Sequence, residues 1–320
     1  MIALALAAAL LPAPAMRIEE LEWERGRAQA QVRAPAPTRI RIRARASCAG
    51  TLVVNGRRVR VRGRRTVTLP LPAGERTLTL RHGRCRVRVD RIDVDWTPAP
   101  STTWQWQLSG PLDDSVPAQL YDVDLFETAA STVAALHARG ARVICYFSAG
   151  STTTSGGSLA GERLDGWPDE RWLDIRRLDV LGPIIERRLD LCARKGFDGV
   201  EPDNVDGYAN RSGFPLRAAH QLRFNRFLAR EAHERGLSIG LKNDLDQVRA
   251  LEPHFDWALN EQCFEYRECD RLRPFTAAGK AVFVAEYELA PEAFCPAARE
   301  AGFMAMLKPL ELGAERTPCW

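Results

Sequence analysis

Residues 201–208, Glu-Pro-Asp-Asn-Val-Asp-Gly-Tyr, set three carboxylates, an amide and a phenol directly after the apolar approach Phe197-Asp198-Gly199-Val200. Glu201 and Asp203 are two apart, so on an extended strand both project to one face. Pro202 between them has no N–H to donate, which suits the end of a strand better than the middle of a sheet. A strand that stops in clustered carboxylates is how a β/α barrel presents acid–base groups at its C-terminal rim. A solvated acidic loop or a calcium site is the plainer reading, but Phe197, Val200 and Pro202 leave little room for an ordinary polar loop. Two opposed carboxyls are what glycoside hydrolysis needs. One is protonated to donate to the leaving oxygen, and the other is ionised to attack the anomeric carbon or activate water. Asp203 and Glu261 are the best pair. Asn204 and Lys242 are expected to favour the charged form of Asp203. Trp257, Phe264 and Tyr266 are expected to desolvate Glu261 and raise its pKa.

These groups need a frame, and eight strand-like apolar runs supply one: 103–108, 120–125, 141–148, 197–203, 237–243, 256–261, 281–287 and 302–308. Helical patterns fall between them at 128–139, 180–195, 217–235, 245–251 and 271–278, and Gly140, Gly196, Gly236 and Gly279 follow where a helix would close. Such alternation predicts an α/β fold, a parallel (β/α)8 TIM barrel over 104–320. An open doubly wound sheet would carry a glycine-rich phosphate loop after its first strand, and none is present. The barrel rim would then hold Trp106, Asp122, Asp124, Tyr146, Glu201, Asp203, Lys242, Asn243, Asp244, Asn260, Glu261, Glu286, Tyr287 and Lys308. Asn204, Asp206 and Tyr208 complete the expected substrate-binding set. Trp104, Trp106, Tyr146, Trp167, Trp172 and Tyr208 are available to stack on sugars, although each type is more often core.

Residues 17–95 read differently. Runs such as Arg39-Ile40-Arg41-Ile42-Arg43 alternate with period two, and Asn55-Gly56 marks a hairpin, which predicts a small all-β sandwich-like module. It holds twenty arginines, no lysine and eight acids, while the rest of the chain carries eight more acids than bases. The arginines are spread over many strands without interleaved aromatics, so no nucleic-acid partner is expected. A solvated basic face is the bland reading, and attachment to anionic cell-surface polymers is the functional one. A Pro-rich linker spans 96–103. Residues 1–15 resemble a secretory signal lacking a basic n-region, so a secreted or periplasmic location is expected, with no membrane span. Eight cysteines suit export. Cys48 and Cys85 could staple the module. Among Cys263, Cys269, Cys295 and Cys319 the short-loop pairing, Cys263–Cys269 with Cys295–Cys319, is preferred. Cys145 and Cys192 are expected to be buried thiols. Nothing suggests a metal or a cofactor.

Several stretches also resemble a known family. They are Trp104-Gln105-Trp106-Gln107-Leu108, Tyr121-Asp122-Val123-Asp124-Leu125, residues 143–150 and 172–175, Asp198 through Tyr208, Gly240-Leu241-Lys242-Asn243-Asp244, and Asn260-Glu261-Gln262-Cys263. In this order they resemble glycoside hydrolase family 114, the endo-α-1,4-polygalactosaminidases. The resemblance runs from Trp104 to the C-terminus and departs over 151–161, which is Ser/Thr/Gly-rich here. It implies a TIM barrel, secretion, hydrolysis of α-1,4-linked galactosamine polymers, and Asp203 with Glu261 as the catalytic pair. A cationic or partly acetylated galactosamine polysaccharide would also suit the acidic domain. The rivals are a hydrolase of another α-linked glycan and a non-catalytic sugar-binding barrel.

Overall fold

The computed structural model describes residues 17–18, 21–153 and 157–320, and the expected signal at 1–15 lies outside them. Six strands make the N-terminal module: β1 (Arg17–Ile18), β2 (Arg27–Ala34), β3 (Thr38–Val54), β4 (Arg57–Leu71), β5 (Gly74–His82) and β6 (Val87–Val94). The period-two pattern is obeyed: Ile40, Ile42, Ala44, Leu52 and Val54 of β3 bury, with Val67, Leu69 and Leu71 of β4, in one apolar core. Instead of two separate packed sheets, the strands hydrogen-bond as one antiparallel sheet, β1-β6-β3-β5-β2, with β4 also on β3. The reason is strand length. β3 has 17 residues, enough to pair with β6 along its first half and β5 along its second. Between its pairs Ala46↔Gly63 and Gly50↔Val61, β3 carries two more residues than β4. A two-residue excess leaves later side chains on their original face, where a one-residue excess would invert them. Cys48 lies in that bulge, and its disulfide to Cys85 fastens it beside β6.

The second unit follows the expected alternation. Its parallel strands are β7 (Trp104–Gln107), β8 (Leu120–Asp124), β9 (Arg142–Ser148), β13 (Gly199–Asp203), β14 (Ser238–Lys242), β15 (Trp257–Glu261), β16 (Val282–Glu286) and β17 (Met304–Leu307), neighbours in that order. The helices are α1 (Ala130–Ala138), α2 (Leu178–Lys195), α3 (Ala218–Glu234), α4 (Val248–Leu251), α5 (Arg273–Ala277) and α6 (Pro291–Ala301). The strands are apolar on both faces. Val282 and Val284 of β16 join the core beneath the helices, whereas Phe283 and Ala285 join an inner cluster with Trp104, Trp106 and Trp257. Gly240 makes room for that inner cluster, because a Cβ there would stand 2.3 Å from the Trp257 ring.

The sheet is curled, but no backbone ladder joins β17 to β7 among the described residues. Side chains and the C-terminal segment span that seam. Trp104 Nε1 donates to Met304 O at 2.8 Å, Leu108 N donates to Leu312 O at 2.9 Å, and β18 (Thr317–Pro318) pairs antiparallel with β17. No helix separates β7 from β8. The observed architecture is therefore a curled sheet of eight parallel strands rather than a closed, regular (β/α)8 barrel.

A small sheet was not anticipated. The strands β10 (Ser151–Thr152), β11 (Ala160–Leu164) and β12 (Trp167–Leu173) pair in the order β10-β12-β11 after β9. All eight cysteines are paired: Cys48–Cys85, Cys263–Cys269 and Cys295–Cys319 as expected, and Cys145–Cys192 against expectation. The last pair links β9 to α2 through cysteines 47 residues apart in sequence, which meet only when the helix packs on the sheet.

The module is also bound to the second unit at the end away from the strand tips. Arg39 Nη2 lies 2.7 Å from both oxygens of Asp256, the residue just before β15, and His233 Nε2 lies 3.1 Å from the same carboxylate. Thr97 and Thr102 within the expected linker are buried, so this stretch is packed rather than free.

Candidate active site

Asp203 ends β13, Lys242 ends β14 and Glu261 ends β15, so three adjacent parallel strands bring their last side chains to one place. Lys242 Nζ is the centre. It lies 2.9 Å from Glu201 Oε1, 3.0 Å from Asp203 Oδ1 and 3.3 Å from Glu261 Oε2, and 4.7 Å above the Trp106 ring. Burial opposes the charge on this lysine. Asp203, Glu201 and Glu261 together outweigh it and hold the ammonium well above the usual lysine range.

Each catalytic candidate has its own donors. Asp203 Oδ2 accepts from Tyr146 OH at 3.0 Å and Oδ1 from the Asn204 N–H at 2.8 Å. Glu261 Oε2 accepts from Asn243 Nδ2 at 3.1 Å, and Oε1 accepts from the Tyr287 hydroxyl. Asn243 is aimed in turn by Asn260 Nδ2 and the Glu261 N–H, both on its Oδ1. Asn204, Asn243 and Gln262, the residues following these three strands, have φ of 59°, 47° and 63°. Asparagine tolerates this left-handed region better than most residues, and such strain gathers at functional sites. Gly150 completes the fit, since a Cβ there would meet the Asn204 carbonyl at 1.8 Å.

Beneath Lys242 lies a second carboxyl pair. Asp122 and Glu201 are almost wholly buried and hydrogen-bond each other, yet Asp122 Oδ1 and Glu201 Oε2 meet no donor from any other group. One shared proton satisfies both. Burial and the neighbouring Glu201 charge push Asp122 well above the ordinary carboxylate range. Burial also pushes Glu201 up to about 7, against the pull of Lys242.

Two lobes open over this centre. The first, about 440 Å³, runs from Trp106 and Tyr146 past Asp203 to Trp167. The second, about 400 Å³, runs from Glu261 past Asp244 to Tyr208 and Tyr266. Asp206, Asn243 and Glu261 border both. Burial, then the Asp203 charge, pushes Asp206 up to about 6, and burial with Asp206 pushes Asp244 up to about 8.

The model of glycoside hydrolase family GH114 matches residues 90–319. The chain belongs to that family. The crystal structure of Aspergillus fumigatus Ega3 in complex with galactosamine is 40% identical, covers 70% of this chain and 97% of its own, and superposes with a TM-score of 0.66. The glycoside hydrolase domain of PelA from Pseudomonas aeruginosa is 14% identical, covers 67% of this chain and 97% of its own, and has a TM-score of 0.57, a likeness of fold. No curated protein gives a significant match. As a family GH114 member, the chain is a glycoside hydrolase, as the motif resemblance implied, and the family model stops short of nearly all the arginine-rich module.

In this GH114 enzyme the expected rim residues separate into groups. Trp106, Tyr146, Asn204, Lys242, Asn243 and Tyr287 gather around Asp203 and Glu261. Asp124 lines the first lobe, with its Oδ1 accepting from the Phe126 and Glu127 N–H groups. Tyr208, Asp244 and Asn260 line the second. Asp122 and Glu201 lie under the cleft, out of reach of a sugar. Glu286 is fully buried with Oε1 on the Phe264 N–H, and Lys308 binds the Gly313 and Glu315 carbonyls, so both serve the fold. The aromatic setting expected for Glu261 also differs: Trp257 is in the inner core, Phe264 packs on Phe294 and Phe303, and Tyr266 is 62% exposed. Trp104 and Trp172 are buried, while Trp167 stands open over both lobes.

The β11–β12 hairpin contributes Arg163, Asp165 and Glu170 to the first lobe, and none of these was singled out from sequence. Its signal was the dipeptide Asp165-Gly166 between two short alternating runs, a two-residue hairpin turn. Glu170 also accepts from the Ser151 hydroxyl, which receives Asn204 Nδ2 at 3.1 Å and so ties the hairpin to the Asp203 loop.

Proposed function

We propose that the chain is an exported, endo-acting, retaining glycosidase that cleaves α-1,4-linked galactosamine-containing polysaccharide, with Asp203 as nucleophile and Glu261 as acid–base on a β/α barrel whose seam is bridged by side chains rather than by a backbone ladder. The observation that carries this reading is the convergence of Asp203 Oδ1 and Glu261 Oε2 on one ammonium nitrogen, at 3.0 and 3.3 Å. Two oxygens on one nitrogen are closer together than those distances combined. Carboxyls that share one partner in this way suit the close pair of a retaining enzyme, about 5–5.5 Å apart, better than the about 6.5–9.5 Å that an inverting pair leaves for water. The donors on Asp203 suit an ionised nucleophile. Glu261 is 26% exposed, so a leaving oxygen and then water can reach it. It first protonates the leaving oxygen as Asp203 bonds to the anomeric carbon, then takes a proton from the water that breaks that bond.

Lobes on both sides of Glu261 suit a polymer bound across the site. Ten carboxylates against four basic side chains line them. That balance favours ammonium-bearing sugars, and galactosamine occupies the crystal structure of the 40% identical Ega3. The four disulfides support export. The test is product analysis with fully deacetylated and fully acetylated galactosamine polymers. Short oligosaccharides appearing early from the deacetylated polymer are expected, and cleavage of neither, or of a neutral α-glucan in preference, would overturn the reading. Azide assigns the roles. Asp203→Ala with azide should yield the β-glycosyl azide and Glu261→Ala the α-anomer. The reverse pattern would exchange nucleophile and acid–base.

A further inference from the structure

The family relationship leaves the arginine-rich module unexplained, and its fold does what the sequence did not show. It assembles scattered arginines beside aromatics. The cross-strand partners of Arg45 on β3 are Arg64 on β4 and Arg88 on β6, a row of three like charges across adjacent strands. Directly opposed like charges destabilise a sheet, so a stable module gains nothing from this row by itself. Arg86 joins it at a groove of about 810 Å³ whose lining also includes Trp23 and His82. The two rings lie 5.1 Å apart, and Trp23 is half-buried. Asp90 answers part of the charge, 3.0 Å from Arg45 and 3.6 Å from Arg88, while Arg64 and Arg86 meet no acid among the described residues.

We infer that this groove binds an anionic polysaccharide, with the Arg64–Arg45–Arg88 row on successive acid groups and Trp23 against a sugar face. Guanidinium forks match carboxylates in two-point contacts. Neighbouring strands sit about 4.8 Å apart, close to the advance per sugar of an extended glycan chain, so each arginine of the row can meet one residue. A nucleic acid would be better served by several aromatics to stack its bases, and this groove offers one Trp–His pair. The groove shares no residue with the catalytic cleft, so it works as a separate anchor on a module held to the catalytic unit by Arg39.

The test titrates the full chain with polygalacturonate, with its fully methyl-esterified form and with duplex DNA at one salt concentration. Polygalacturonate should bind, and esterification, which removes charge but keeps the sugar, should abolish binding. Arg64→Gln/Arg86→Gln/Arg88→Gln should weaken binding by about tenfold, the sum of three exposed ion pairs. Trp23→Ala should weaken it further, and the triple variant, relieved of opposed like charges, should melt no lower than wild type. Equal binding of the esterified form, unchanged binding by the triple variant, or tighter binding of DNA would each overturn the inference. Glycan cleavage is a separate readout, so loss of the proposed substrate specificity would leave this result standing.

Discussion

Asp203 Oδ1 and Glu261 Oε2 meet on Lys242 Nζ, at 3.0 and 3.3 Å, while Glu201 holds the same nitrogen from below at 2.9 Å. The lysine thus couples both catalytic candidates to a buried carboxyl pair that no sugar touches. Lys242→Met keeps the length of the side chain and removes its charge. Without that cation turnover should fall by orders of magnitude, and the Glu201 carboxyl, which Lys242 holds down, should rise above about 7. Turnover close to wild type would show that Lys242 only fills space.

Asp122 and Glu201 give a sharper test of protonation. If Asp122 donates to Glu201, Asp122→Asn supplies an N–H in its place and should stay close to wild type in denaturant stability. Asp122→Ala leaves Glu201 Oε2 without a partner and should cost about 1–3 kcal/mol. Equal losses in the two variants would remove the shared proton from the account.

Glu286 predicts how stability depends on pH. Burial raises its carboxyl from 4.5 to about 7. The folded state therefore binds a proton that the unfolded state releases, and this contribution is fully present below 4.5 and lost as pH rises to about 7. Glu286→Gln still accepts from the Phe264 N–H but does not titrate. Its stability relative to wild type should climb across that window and level off on either side. A difference independent of pH would contradict the raised value.

Arg39 and Asp256 test how the module is held. Arg39 is 18% exposed and Asp256 3%. Arg39→Met should cost on the order of 2 kcal/mol, less than a fully buried pair whose cation is removed. It should also split a single calorimetric transition into two as the module loosens first. A single unshifted transition would mean that the packed residues around Thr97 hold the units together without the ion pair.

The chain by itself determined a good deal. The eight apolar runs became eight parallel strands because a sheet buried on both faces needs continuous apolar sequence. Asp203, Lys242 and Glu261 could be placed together because consecutive parallel strands end side by side. Gly196, with φ of 91° after α2, marked a helix end that a residue with a side chain would strain to form.

Tertiary structure decided the rest, since those outcomes depend on neighbours distant in sequence. Glu201 and Glu286 both lie in the C-terminal part of a parallel strand, yet packing puts one under Lys242 and the other on the Phe264 N–H. Cys145 and Cys192 bond because α2 lies on β9. The sheet seam is bridged by Trp104 and the C-terminal segment, which no periodicity encodes. Arg45, Arg64 and Arg88 read as separate members of alternating runs, and only strand register, set by the bulge at Cys48 and the pairing of β4 and β6 on β3, makes them one row.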